Sequence, residues 1–152
     1  MFWVHICGMM TIEFIIPKDR VLEEVAKSTA YVGVAVDAHE KIATVDANEE
    51  ILGSFIEVAC NDLLLAFGAY DPKVEELAFE LTMPDGFDGA RAVVLERLVF
   101  EYIVSAVIWR WLFMFFPEKA VMWEQRATEV MTRIKSTVNS RSRVLRRVQR
   151  PF

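Results

Sequence analysis

The stretch Leu98–Phe116, LVFEYIVSAVIWRWLFMFF, decides how this chain of 152 residues is read. It is long enough to cross a bilayer. Two charges oppose that reading: Glu101 and Arg110 each cost about 2.5 to 3.5 kcal/mol near the centre of a span, whereas Leu, Ile, Phe and Val each return only about 0.3 to 0.6. The polar positions also have helical order. Arg97, Glu101 and Ser105 step by four, as one wet stripe with an Arg97–Glu101 pair would. The stretch therefore reads as the buried helix of a bundle. Arg110 lies off the stripe and is expected to reach an acid on another helix or subunit.

Outward from this helix, Asp88 is placed to cap its start. Pro117 stops it and opens a further helix at the first turn, where proline is tolerated. In that last helix Ala120, Trp123, Ala127, Val130, Ile134 and Val138 form an apolar seam at steps of three and four, with Glu118, Gln125, Glu129, Thr132 and Arg133 facing out. Upstream, Leu77, Phe79 and Leu81 alternate with smaller or polar residues, which predicts a strand over residues 77–82. A helix starting at Asp46, with Glu49 completing a capping box, carries a polar stripe at Glu50, Ser54, Glu57 and Asn61. Ile51, Leu52, Phe55, Ile56, Val58, Ala59, Leu63 and Phe67 fill the rest of it, so most of this helix should be covered. Gly68 and Asp71-Pro72 end it. A first helix, capped by Asp19, follows a short strand over residues 11–16. The expected fold is mainly α: a four-helix, bundle-like core with two short β-strands and a basic C-terminal arm. Residues 1–9 read as a disordered extension, 10–138 as a single helical domain and 139–152 as the arm.

Composition bounds the function. The chain is 54% hydrophobic and 12% aromatic with a net charge of −5. That apolar excess calls for a dense core, a subunit interface or a membrane. The segment SRSRVLRRVQRPF, Ser140–Phe152, holds five arginines and no acid; taking those five charges away leaves −10 on the rest. Catalysis has little to work with. The two histidines are His5 and His39, the latter read as a surface residue in a polar loop. Cys7 and Cys60 have neither metal nor redox spacing and read as reduced thiols. No glycine-rich phosphate loop, HExxH motif or Cys/His metal set occurs. Catalytic, metal-ligating and cofactor-binding residues are therefore all read as none, and no enzyme is expected. The candidate partner-binding residues are Arg110, Arg141, Arg143, Arg146, Arg147, Arg150 and Phe152.

Three segments carry a resemblance: FELTMPDGFD at residues 79–88, YIVSAVIWRWL at 102–112, and EKAVMWEQRATEVMTRIKSTVNSR at 118–141 before the arginine-rich end. Together they resemble small proteins encoded in the structural modules of tailed bacteriophages and prophages of gut bacteria, among head-to-tail connector and neck genes. The likeness covers roughly the last half of the chain, and its motifs are structural. It implies a helical subunit of a ring at the head–tail junction, acting as a homo-oligomer beside other virion neck, portal or tail proteins. It implies a location in the virion, and in the host cytoplasm during assembly. Two alternatives stay open at this level. One is a single-span membrane protein with a basic cytoplasmic tail. The other is a nucleic-acid-binding accessory protein using its arm, although a −10 body would repel phosphates.

Overall fold

A computed structural model of the chain describes residues 3–6, 9–33 and 49–140. Its elements run β1 (Trp3–Ile6), β2 (Met9–Ile15), α1 (Lys18–Gly33), α2 (Glu49–Ala66), a 3₁₀ turn (Gly68–Tyr70), β3 (Lys73–Glu75), β4 (Ala78–Met83), α3 (Ala90–Phe115) and α4 (Pro117–Asn139). The fold is mainly helical with a small antiparallel sheet. Helix α3 is its axis, and α1, α2 and α4 all pack against it. From Tyr102 to Ile108 every residue of α3 is buried. This is why the middle of the quoted stretch is so apolar: it packs against three helices at once. Among the described residues no helix is long and apolar enough to cross a membrane.

The expected polar stripe on α3 is reorganised. Ser105 is buried, and its hydroxyl donates to the Glu101 carbonyl at 2.8 Å, the back-bond by which a helix satisfies a serine internally. Glu101 pairs with Arg126 of α4 at 3.0 Å instead of with Arg97. The stripe is thus the seam between α3 and α4, and only Arg97 at its end is exposed. Helix starts follow local chemistry. Asp88 Oδ1 accepts from the Ala90 amide at 3.0 Å, as a cap should, and Pro117 is the first residue of α4. Asp19 lies inside the first turn of α1 rather than at its cap. The Pro17 carbonyl accepts from Val21, so the helix starts two residues earlier than the sequence suggests. The α4 seam is buried as expected, with Trp123 half-buried. On α2 the polar stripe is exposed, but so are Ile51, Val58 and Leu65. Less of this helix is covered than its composition suggests. The expected cap Asp46, together with Cys7, His39 and the polar connection before α2, lies outside the described residues.

The sheet has the order β1-β2-β4-β3, two strands more than the sequence announces. β2 and β4 pair antiparallel with Ile12 opposite Leu81 and Phe14 opposite Phe79. Ile12, Phe14, Phe79, Leu81 and Met83 face the core, and the Phe14 and Phe79 rings stack at 5.3 Å. The first strand replaces the expected extension: Trp3–Ile6 pairs with β2, Trp3 opposite Ile12 and Ile6 opposite Met9. Four cross-strand pairs at roughly 0.2 to 1 kcal/mol each amount to about 1 to 4 kcal/mol. Deleting Met1–Gly8 should therefore lower the melting temperature by several degrees; an unchanged transition would return these residues to the role of a passive extension.

β3 escapes sequence reading because of its turn. Glu76 and Leu77 join β3 to β4 as a two-residue loop, with φ of 46° and 68°. Loops of this kind normally carry Asn-Gly, since both positions are left-handed. Leu77 tolerates the conformation because its side chain is buried and its carbonyl accepts from the Ile16 amide at 3.0 Å. Glu76 is exposed and has no such compensation. Glu76→Asn should therefore stabilise the fold by about 0.5 to 1 kcal/mol, because asparagine enters the left-handed region at lower cost. A fall in melting temperature would contradict this account of the turn.

Candidate functional site

Three features of the described surface have chemistry that reaches beyond packing. The first is a polar cluster between α2 and α3. The Arg110 guanidinium donates to Asp62 Oδ2 at 2.9 Å and to the Ala106 carbonyl at 3.1 Å, and it lies 4.7 Å from the Trp109 ring centre. The Tyr102 hydroxyl donates to the same Asp62 oxygen at 3.0 Å. Burial, and then the neighbouring Asp62 carboxylate, push the Tyr102 phenol up to about 12. Arg110 thus reaches an acid on another helix, as its position off the stripe suggests. Two of its donors are used inside the subunit, and its side chain is only 16% exposed. As a partner-binding candidate it offers little to a second molecule. Asp62 and Tyr102 are the cluster members that sequence reading passed over. The available signal was Asp62 itself, an acid set within the apolar run Val58–Phe67 and in need of a cation.

The second feature is the turn joining α3 to α4. Phe113, Met114, Phe115, Val121 and Met122 are all exposed there. Trp109 meets Phe113 edge-on at 6.4 Å, and Trp111 tilts against Phe115 at 5.0 Å. These contacts order the rings along α3 without covering them. The turn presents aromatic and thioether side chains together, the residue types favoured where proteins associate.

The third is the solvated face of the sheet. Across it run two rows, Glu13–Glu80–Lys73 and Ile15–Ala78–Glu75. Lys73 Nζ lies 2.6 Å from Glu80 Oε1, which raises the lysine's affinity for its proton. With Glu96 of α3 these residues line a groove of about 550 Å³.

Chemistry elsewhere is sparse. Burial, with Glu57 nearby, pushes the Cys60 thiol up to about 11, which makes it a poor nucleophile at neutral pH. Among the described residues no group of His, Cys, Asp and Glu is arranged to hold a metal ion. A second groove, of about 750 Å³, lies between α2 and the β3–β4 turn and has Lys18, Glu57 and Glu76 at its rim. Arg141, Arg143, Arg146, Arg147, Arg150 and Phe152, the remaining partner-binding candidates, lie outside the described residues. The chain matches no family model, no curated protein and no solved structure.

Proposed function

We propose that this chain is a virion structural and assembly protein: a ring-forming subunit of the head–tail connector or neck of a tailed phage or prophage, working by association rather than catalysis. The observation that carries the reading is the uncovered apolar turn between α3 and α4. Phe113, Met114, Phe115 and Met122 are each about half exposed or more, and an apolar patch of this kind marks a site of association. The resemblance of residues 79–88, 102–112 and 118–141 to neck and connector proteins supplies the kind of assembly. A ring interface is heterologous, so each subunit must carry two different surfaces that fit each other. An acidic body with a five-arginine arm meets that requirement.

Sizing and negative-stain imaging of the full chain, purified without detergent, test the reading. The expected result is a discrete closed oligomer. A monomer at all concentrations that binds DNA in a salt-sensitive, arm-dependent way would replace it with the nucleic-acid reading. Recovery only from the membrane fraction would replace it with the single-span reading.

A further inference from the structure

The groove on the sheet carries an imbalance of charge. Glu80 is neutralised by Lys73 at 2.6 Å. Glu13, Glu75 and Glu96, the other acids lining it, form no ion pair among the described residues. Glu13 also stands directly opposite Glu80 on β4, and like charges in that register repel. Between the carboxylates, Ile15 is 65% exposed beside Ala78. The groove is thus an anionic grid with an apolar floor: among the described residues its one lysine, Lys73, is bonded to Glu80, and Glu13, Glu75 and Glu96 have no ion-pair partner of their own.

One segment of this chain has the opposite pattern. Arg141, Arg143, Arg146, Arg147 and Arg150 alternate with Val144, Leu145 and Val148, and no acid falls among them. Arginine forks suit carboxylates, and the interleaved aliphatic residues suit an apolar floor. The root of the segment is fixed: Tyr70 Oη donates to Asn139 Oδ1 at 2.6 Å at the end of α4. From there the thirteen residues 140–152 reach at most roughly 45 Å, enough to leave the subunit.

We propose that the groove at Glu13, Glu75 and Glu96 is the receiving site for the arginine arm, residues 141–152, of a second copy of this chain. The inference rests on the ring reading above and names the two surfaces that would meet. An arm seated on its own subunit would consume both halves of the complementarity. An arm passed to the neighbour leaves one arm and one groove at each junction, which is the head-to-tail arrangement that closes a ring.

A photo-cross-linking residue placed at Val148 of the full chain tests this. Equal amounts of ¹⁵N-labelled and unlabelled chain are mixed and assembled before irradiation. Mixed-isotope cross-links to peptides spanning residues 9–15 and 73–80 are expected. They should fall about tenfold in Glu13→Gln/Glu75→Gln, and similarly at 1 M salt, because loss of charge-assisted contacts and screening both weaken such pairing. Both substitutions are near-isosteric on a solvated face, and helical circular dichroism checks that the fold survives. Exchanging the charges, Glu13→Lys and Glu75→Lys together with Arg141→Glu, Arg143→Glu, Arg146→Glu, Arg147→Glu and Arg150→Glu, should restore the cross-links. Same-isotope products alone, or cross-links to other segments, would overturn the proposal. Sizing the same samples separates the failures: assembly with arms docked elsewhere leaves the ring reading intact, whereas absence of assembly removes both.

Discussion

Ile108→Ala should lower the stability of this protein by about 2 to 5 kcal/mol, the range for a fully enclosed aliphatic side chain cut back to its Cβ. Ile108 is 0% exposed, in the middle of the helix that α1, α2 and α4 share. For a chain of this length that corresponds to a fall of about 5 to 15 °C in melting temperature. Its helical neighbours Val104, Val107 and Leu112 are buried as well, so the void would lie inside the core and the upper half of the range is expected. Leu98→Ala should cost less, because Leu98 retains 9% exposure and its neighbour Arg97 is on the surface. The two variants together test what α3 is for. A helix meant for lipid would lose little from either change, and the protein would be recovered only with detergent. A melting temperature unchanged by Ile108→Ala would remove α3 from the core.

How much of this was legible beforehand depended on the range of the forces involved. Helix α4 was readable because its burial is periodic, α3 because its apolar run is long and continuous, and both because their ends are local: Asp88, Pro117 and the seam from Ala120 to Val138 act within one turn or one face. The strands at residues 11–16 and 77–82 were visible for the same reason. β1 was missed for a different reason: WVHI is a short apolar run without alternation, set apart with the segment before Met9, although Gly8 in the sequence between Ile6 and Met9 is a usual hairpin signal and the pairing spans only three to nine residues. β3 was hidden by Glu76-Leu77, a turn whose strain is compensated by burial of Leu77 and the bond from Ile16, both tertiary facts. Partner choice was the weakest link. The order in Arg97, Glu101 and Ser105 was real, yet which helix would face it could not be read from spacing. Arg110 was correctly assigned an acid elsewhere, but nothing local named Asp62. The exposed turn at Phe113–Phe115 was indistinguishable from core by composition, since both are apolar.

That Asp62 cluster carries the second large effect. Both Tyr102 and Arg110 donate to one carboxylate oxygen, so Asp62→Ala strips the acceptor from a hydroxyl and a guanidinium at once. The guanidinium keeps only the Ala106 carbonyl and the Trp109 ring face. Leaving a mostly enclosed cation without its anion is the costly way to break a pair. Asp62 is 38% exposed, however, so water can partly replace it. The expected loss is about 2 to 3 kcal/mol, against about 1 kcal/mol for Tyr102→Phe, which removes one neutral donor. In a double-mutant cycle, Asp62→Ala with Arg110→Ala should lose less than the two single changes added together, since either change alone already breaks the bond. Strict additivity would show that the pair contributes nothing. High pH offers an independent readout. The folded phenol of Tyr102 is pushed up to about 12, while an unfolded tyrosine titrates near 10. Below pH 10 both states hold the proton, and this contribution to stability is fully present. Between pH 10 and 12 the unfolded chain releases its proton and the folded chain does not, so stability falls across that window. In the absorbance titration at 295 nm, Tyr102→Phe should abolish the late step, and denaturant unfolding of that variant should depend less on pH between 10 and 12. A late step that persists in Tyr102→Phe would assign it to another tyrosine and leave the clamp between α2 and α3 to Arg110 and Asp62 alone.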